Sequence, residues 1–413
     1  MPLGTLYHIE QRLADDGIAD VAEALTAGLR AAPVPVSPGM RVAVAVGSRG
    51  IARLPEMVRA LVSWVKELGG EPFIVPAMGS HGGATAAGQR EILAGYGITE
   101  AATGAPVRAT MEVVELPRDD CPLPVYFDRY AAEADAVILL NRIAPHPSFH
   151  GRYESGLMKM LAIGLGKHEG ARTIHQHGTT GLREYLPLVA AQMLRHAHIL
   201  LGVAIVENAR GEVGRLEALP AAEIPAREPA LLEMARAGVP VLPVDEIDLL
   251  IVDEIGKNIS GAGMHPSVIG RRSAPGMPQP DRPRIRLILV RDLSSETHGN
   301  AVGIEMADLM VRRAAEKIDR DATHANLDTA APLYRPKLPP VANDDRRAVL
   351  MAGYALRASA GELRVVRIKN TRDLQHLQVS QTVVADLAGR EGITIHGPVE
   401  PLWLSEEELA PVG

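Results

Sequence analysis

RVAVAVGSRGIARLPEMVRALVSWVKELGGEPFIVPAMGSHGGAT, residues 41–85, carries the pattern that decides the fold. Arg41 to Ser48 is a short, β-rich apolar run. PEMVRALVSWVKELGG follows, with Pro55 where a helix begins and Gly69 and Gly70 where it ends. Proline suits a first helical turn because its missing N–H would find no intrahelical acceptor there, and glycine suits the exit because it accepts a left-handed conformation. EPFIVPAMGS is a second strand, ATAAGQREILAGYG a second helix, and ADAVILLNR, Ala134 to Arg142, a third, buried strand. Strands alternating with helices predict a parallel sheet covered by helices, whose ligands bind beyond the carboxyl ends of the strands. Three polar, glycine-bearing loops lie at those ends: GSRGIARLP from Gly47, AMGSHGGAT from Ala77 and NRIAPHPSFHG from Asn141.

Further along, residues 212–243 are rich in Ala, Pro, Glu and Arg, show little periodicity, and read as a bridge with a domain boundary near Asp245. Beyond it, EIDLLIVDEIG and RIRLILVRDL are strands, and AVGIEMADLMVRRAAEKI, residues 301–318, has the three-and-four apolar spacing of a helix. The expected architecture is α/β: two α/β domains, residues 1–244 and 245–391, with helix-covered, mainly parallel sheets and an active-site cleft between them. The pattern leaves open which domain the tail, about residues 392–413, joins, a return to the first domain being one possibility.

Composition narrows the function. A chain of 413 residues with 46% hydrophobic content holds two to three units at roughly 100–200 residues each. A net charge of −7 without a basic run, and only 3% aromatic residues, argue against nucleic acid. Cys121 is the single cysteine, so no intramolecular disulfide forms, and the first residues lack the basic and apolar regions of a signal peptide. No apolar run approaches the ~20 residues that span a bilayer. The expectation is a cytoplasmic protein with a small-molecule partner and no membrane or nucleic-acid role; the sequence leaves a homo-oligomer open.

The chemistry-bearing residues cluster in HPSFHGRYESGLMKMLAIGLGKHEGARTIHQHG, residues 146–178. Five of the chain's fourteen histidines fall here: His146, His150, His168, His175 and His177. Imidazole suits Zn, Cu, Fe and Ni, yet no HExxH or CxxC spacing is present. Lys159 lies among Leu157, Met158, Met160 and Leu161; desolvation there would favour the neutral, nucleophilic amine, whereas a snorkelling lysine on an amphipathic helix fits the same pattern. His81, between Ser80 and Gly82, is open to whatever occupies the strand-end cleft. GSRG and GSHGG could offer backbone amides to a phosphate, with Arg49 adding a fixed positive fork, though neither matches GxGxxG or the P-loop.

Taken in order, GSRGI, PAMGSHGGAT, the PH of APHPSFHG, SGLMK ending at Lys159, and His175 sixteen residues later resemble the motifs of the nickel-dependent lactate racemase family. DEIGKNISG and THGNAVGIEMADLMVRR resemble a subgroup of its relatives. The resemblance implies a nickel-pincer nucleotide, pyridinium-3,5-bisthiocarboxylic acid mononucleotide with Ni, attached covalently at Lys159 and made by separate cofactor-synthesis enzymes. It implies His175 as the nickel ligand, His81 as one acid/base catalyst, and His146 or His150 as the other. Ser48, Arg49, Ser155 and Gly156 are expected beside the cofactor, and Arg49 and Lys257 as carboxylate or phosphate partners. The implied reaction is racemisation or epimerisation of an α-hydroxy acid, where a cofactor acting as electron sink avoids a poorly stabilised carbanion and histidines move the hydroxyl proton. The stretch from His146 to Lys159 is longer than in lactate-specific members, and the tyrosine and glutamine associated with lactate are not evident after Lys257. The expected substrate is therefore another hydroxy acid. Two other classes compete: a zinc-type metallohydrolase using His81, His146 or His150, and His175, and a binding protein that holds a hydroxy acid or nucleotide without turnover.

Overall fold

A computed structural model describes residues 5–32, 34–48, 50–146, 149–273, 279–324, 337–357 and 362–399. Contacts divide the chain into two units, Asp15–Val239 and Met1–Ala14 with Pro240–Gly413. Both are α/β, with helices and mainly parallel sheets.

In the unit Asp15–Val239 the strands lie in the order Glu71–Pro76, Arg41–Val46, Ala136–Arg142, Ile199–Glu207, Val213–Pro220. The first four run parallel and the last is antiparallel to its neighbour. Alternation along Arg41–Val46 sends Val42, Val44 and Val46 to a face packed by the helices Val21–Ala31 and Leu54–Glu67, through Leu25, Leu29, Met57 and Leu61. Ala43 and Ala45 point the other way, into a core with Leu157, Met160, Leu161 and Leu231. Burial on both faces is what a parallel sheet demands of its strands. Small alanines on the second face let the Lys159-bearing segment approach closely: a Cβ on Gly47 would lie 3.4 Å from Met160 Cε. The helix Leu54–Glu67 begins at its proline and ends before Gly69, at φ +84°, as the sequence predicts.

The segment of little periodicity read as a bridge is built of regular elements. Val213–Pro220 closes the sheet edge and Ile224–Ala237 is a helix. Its irregular reading comes from Pro225 and Pro229, and Pro229 cannot donate to the Pro225 carbonyl four residues back. The Tyr153 hydroxyl donates to that carbonyl instead, at 2.8 Å, filling the gap from distant sequence.

The other unit has an eight-stranded sheet in the order Val341–Ala342, Leu309–Val311, Arg284–Val290, Glu246–Val252, Val365–Ile368, His376–Ser380, Leu6–Gln11, Ile393–Val399. The first five are parallel; each of the last three is antiparallel to its neighbours. Three expectations are corrected here. Leu6–Gln11 pairs with His376–Ser380 and Ile393–Val399, so the chain start belongs with this unit and not with the one that follows it in sequence. Ile393–Val399 likewise does not return to the first domain; residues 400–413 lie outside the described residues. Residues 301–318 form a 3₁₀ turn at Ile304–Met306, the strand Leu309–Val311 and the short helix Arg312–Glu316, rather than one helix. Backbone pairing of Leu309 and Met310 with Leu289 and Val290 claims the apolar run for the sheet. Among the described residues no helix is long and apolar enough to cross a membrane.

Ile9, fully buried opposite Leu377 and Ile395, makes the N-terminal strand a structural keystone of its sheet. Ile9→Ala is expected to cost about 2–5 kcal/mol in chemical denaturation. Hydrogen exchange is expected to rise in His376–Ser380 and Ile393–Val399; unchanged protection in both strands would contradict this placement.

Candidate functional site

The three parallel strands Glu71–Pro76, Arg41–Val46 and Ala136–Arg142 deliver their following loops to one edge of the sheet. Ser48, held through its carbonyl by the Tyr96 hydroxyl at 2.8 Å, shares a hydrogen bond between its own hydroxyl and Nδ1 of exposed His81. The Gly79 amide donates to the Gly164 carbonyl at 3.1 Å, fastening the His81 loop to the segment that follows Lys159. Gly79 stands at φ +59°, where an added Cβ would also sit 3.2 Å from the Ile163 carbonyl oxygen, so both conformation and space call for glycine.

Beneath that loop lies a buried polar chain that the sequence does not announce. The Gln89 side-chain amide donates to the carbonyls of Gly79 (2.7 Å) and His81 (3.3 Å), and its oxygen accepts from Lys167 Nζ at 2.8 Å. Lys167 also donates to the Pro76 carbonyl at 2.6 Å and pairs with Asp128 at 3.1 Å. Burial shifts both partners against charge: the Lys167 ammonium is pushed down and the Asp128 carboxyl up, each partly offset by the other.

On the third loop, backbone exchange between Ala144 and Ser155, together with a 2.8 Å bond from the Asn141 side-chain amide to the Gly156 carbonyl, brings the chain back to start the helix Leu157–Lys159. That helix runs directly into a π-helix, Met160–Leu165, a form that recurs at functional sites because it reorients side chains within a helical run. Lys159 Nζ lies 5.9 Å from the centre of the buried Phe149 ring, with the His146 ring tilted against the same phenyl at 4.6 Å. His175 ends the helix Lys167–His175. Its pKa is pushed down to about 4, first by desolvation and then by the charge of Lys159, which places it as a neutral imidazole under the influence of that amine.

Two carboxylates tie this segment to the helix Ile224–Ala237. Glu154, fully buried, accepts the His146 amide (2.5 Å), the Gly151 amide (3.1 Å), Nδ1 of His150 (3.1 Å) and the Arg236 guanidinium (2.5 Å). Glu228 accepts the Met158 amide at 3.0 Å, with its second oxygen buried and without a hydrogen-bond partner. A Cβ on Gly156 would fall 2.2 Å from that oxygen, so glycine is what lets the carboxyl reach the helix start. Desolvation pushes the Glu228 carboxyl up to about 7, against the pull of the Met158 and Leu157 amides.

Thus Ser48, His81, His146, His150, Ser155, Gly156, Lys159 and His175 all lie in the unit Asp15–Val239, linked by the contacts above. Arg49 lies outside the described residues. Lys257 belongs to the other unit, where its amide donates to Thr297 Oγ1 at 3.1 Å and its ammonium to the Gly261 carbonyl at 2.8 Å. Among the described residues no three His, Cys, Asp or Glu side chains are grouped to hold a metal ion.

Residues 43–261, more than half of the chain, match the family described as a domain of unknown function, DUF362. The chain belongs to the DUF362 family. No curated protein matches this DUF362 member. Among solved structures it is similar to a structural-genomics protein from Thermotoga maritima, at 15% identity over 68% of this chain and 72% of that one, TM-score 0.47. It is also similar to the lactate racemase apoprotein from Thermoanaerobacterium thermosaccharolyticum, at 10% identity over 89% and 98%, TM-score 0.49. Identities this low assign no activity.

Because the native state holds a proton on Glu228 up to about pH 7 and the unfolded chain releases it near the ordinary 4.5, this group's contribution is complete below about pH 4.5 and fades as pH rises through 7. Relative to Glu228→Gln, the wild type is expected to lose up to about 3 kcal/mol between pH 4.5 and 8 in denaturant titrations. Parallel stability curves for the two proteins would contradict a protonated, buried Glu228.

Proposed function

We propose that this DUF362 member is a racemase or epimerase of an α-hydroxy acid other than lactate, working with a nickel-pincer nucleotide. The observation that supports this reading is that Lys159 and His175 lie in one unit, with His175 held neutral by burial and by the charge of Lys159. Residues that match the family motifs in sequence order also belong to one linked set of side chains, and the amine that would carry the cofactor is the one whose charge His175 feels. Lys159 is the attachment point, His175 the protein's ligand to nickel, and Ser48, Arg49, Ser155 and Gly156 flank the cofactor. Bound there, the group supplies a reversible two-electron oxidation of the substrate's carbinol carbon.

The chain's own residues handle binding and protons. His81 takes the hydroxyl proton from one enantiomer and, by microscopic reversibility, returns it when the reaction runs backward. The second histidine, on the Asn141–Glu154 loop, performs the same task for the other enantiomer, since inversion carries the hydroxyl to the opposite side of the carbon. The hydrogen bond between Ser48 and His81 fixes the first ring. Arg49 is the cation proposed for a substrate carboxylate.

Produced alongside the cofactor-synthesis enzymes, the protein is expected to show an intact-mass increment localised to Lys159 and one nickel per chain. Lys159→Ala is expected to lose the increment, and His175→Ala to lose nickel while keeping the increment. Zinc without a lysine adduct under those conditions would overturn the reading.

A further inference from the structure

We propose that the unit Asp15–Val239 holds a second ligand site, a phosphate-binding cavity at the opposite edge of its sheet from the candidate functional site. The proposal is independent of the racemase reading.

A cavity of about 350 Å³ opens where the strands Arg41–Val46 and Glu71–Pro76 begin, and Arg41, Lys66, Glu71, Phe73 and Arg108 are among the residues that line it. Its size falls within the roughly 300–1,000 Å³ of small-molecule sites. Three of these side chains are cations and one is an anion, in a chain whose net charge is −7. The loops that carry Ser48 and His81 follow the other ends of the same two strands, about 20 Å away at ~3.3 Å per residue. A ligand here would therefore be separate from one bound at the candidate site.

Each cation is placed by the fold before any ligand arrives. Arg108 lies on a short parallel extension of the sheet, where the Ile74 amide donates to the Pro106 carbonyl at 2.9 Å and the Arg108 amide to the Ile74 carbonyl at 2.8 Å. Its guanidinium carbon stands 4.6 Å from the centre of the buried Phe73 ring, which sets the fork against an apolar wall. Lys66, in the last turn of the helix Leu54–Glu67, donates to the Gly104 carbonyl at 2.5 Å and so uses one of its three N–H groups. Arg41 bonds Asp135 through its amide at 2.8 Å and its Nε at 3.4 Å, a contact that does not use the terminal nitrogens of the guanidinium.

Among the described residues neither Lys66 nor Arg108 pairs with a carboxylate. Like charges around one cavity repel, and an oxyanion would relieve that repulsion. Phosphate suits the donor set: a guanidinium meets it with two parallel N–H groups and an ammonium adds a point charge. Cations on a strand start, a helix end and a sheet extension can each take a different phosphate oxygen. Their prior placement also lowers the ordering cost of binding. Glu71 works against an anion, and that opposition gives the test its sign.

Isothermal titration of the full chain with inorganic phosphate and with phenyl phosphate, at low ionic strength, tests the site. Arg41, Lys66, Glu71 and Arg108 are all exposed, so replacing their side chains leaves the core closed. Arg108→Met and Lys66→Met are each expected to weaken binding about tenfold, and Glu71→Gln to tighten it about two- to fivefold. Equal affinity for the two compounds would identify free phosphate as the ligand, and tighter binding of phenyl phosphate a phosphate ester whose carbon body rests on Pro72 and Pro106. No binding by the wild type, binding that Arg108→Met and Lys66→Met leave unchanged, or no tightening in Glu71→Gln would overturn the proposal.

Discussion

The grip of the helix Ile224–Ala237 on the Tyr153–Met158 stretch is the constraint on which the candidate site depends. Three contacts of different chemistry make it: a tyrosine hydroxyl filling a gap opened by proline, a guanidinium on a buried carboxylate, and a carboxyl capping a helix start. Each alone is worth little beyond a hydrogen bond, but all three act on one short segment and together remove its freedom to slide. Lys159 follows immediately, and the π-helix after it is stitched to the His81 loop through Gly79 and Gly164. Fixing one end of the segment therefore propagates to the other candidate base.

A second support works from below. The Asp128–Lys167–Gln89 chain fastens the strand end at Pro76 and the carbonyls of Gly79 and His81 to the start of the helix that ends in His175. Burial penalises both charges, so the pair is costly to assemble and costlier to break from one side. Its value lies in geometry: it ties the position of His81 to that of His175.

Much of the fold was legible because its signals are local. Pro55 and Gly69 bound one helix, and the apolar runs at 41–46, 71–76 and 136–142 have the length and composition of buried strands. The failures are non-local. Residues 224–237 look irregular because the Pro225 carbonyl finds its donor in Tyr153, and residues 301–318 keep a helical period that a neighbouring strand overrides. The place of Leu6–Gln11 is set by partners near residues 376 and 393, beyond any window of sequence. At the site, motif order singled out Lys159, His175 and His81, but Gln89, Lys167, Glu228 and Arg236 belong to no motif and become visible only through burial and contact. The bond between Glu154 and the His150 ring is likewise visible only in the fold.

In the function proposed, a tethered electron sink at Lys159, a neutral imidazole at His175 and two opposed histidine bases would invert a hydroxyl-bearing carbon. The most direct measurement is chiral chromatography of a panel of single-enantiomer α-hydroxy acids incubated with cofactor-loaded protein. At least one acid is expected to drift toward a mixture of its two forms, and His81→Gln to slow that drift on the order of 10²-fold or more. A panel that keeps its configuration throughout, with nickel and the Lys159 adduct both in place, would contradict it.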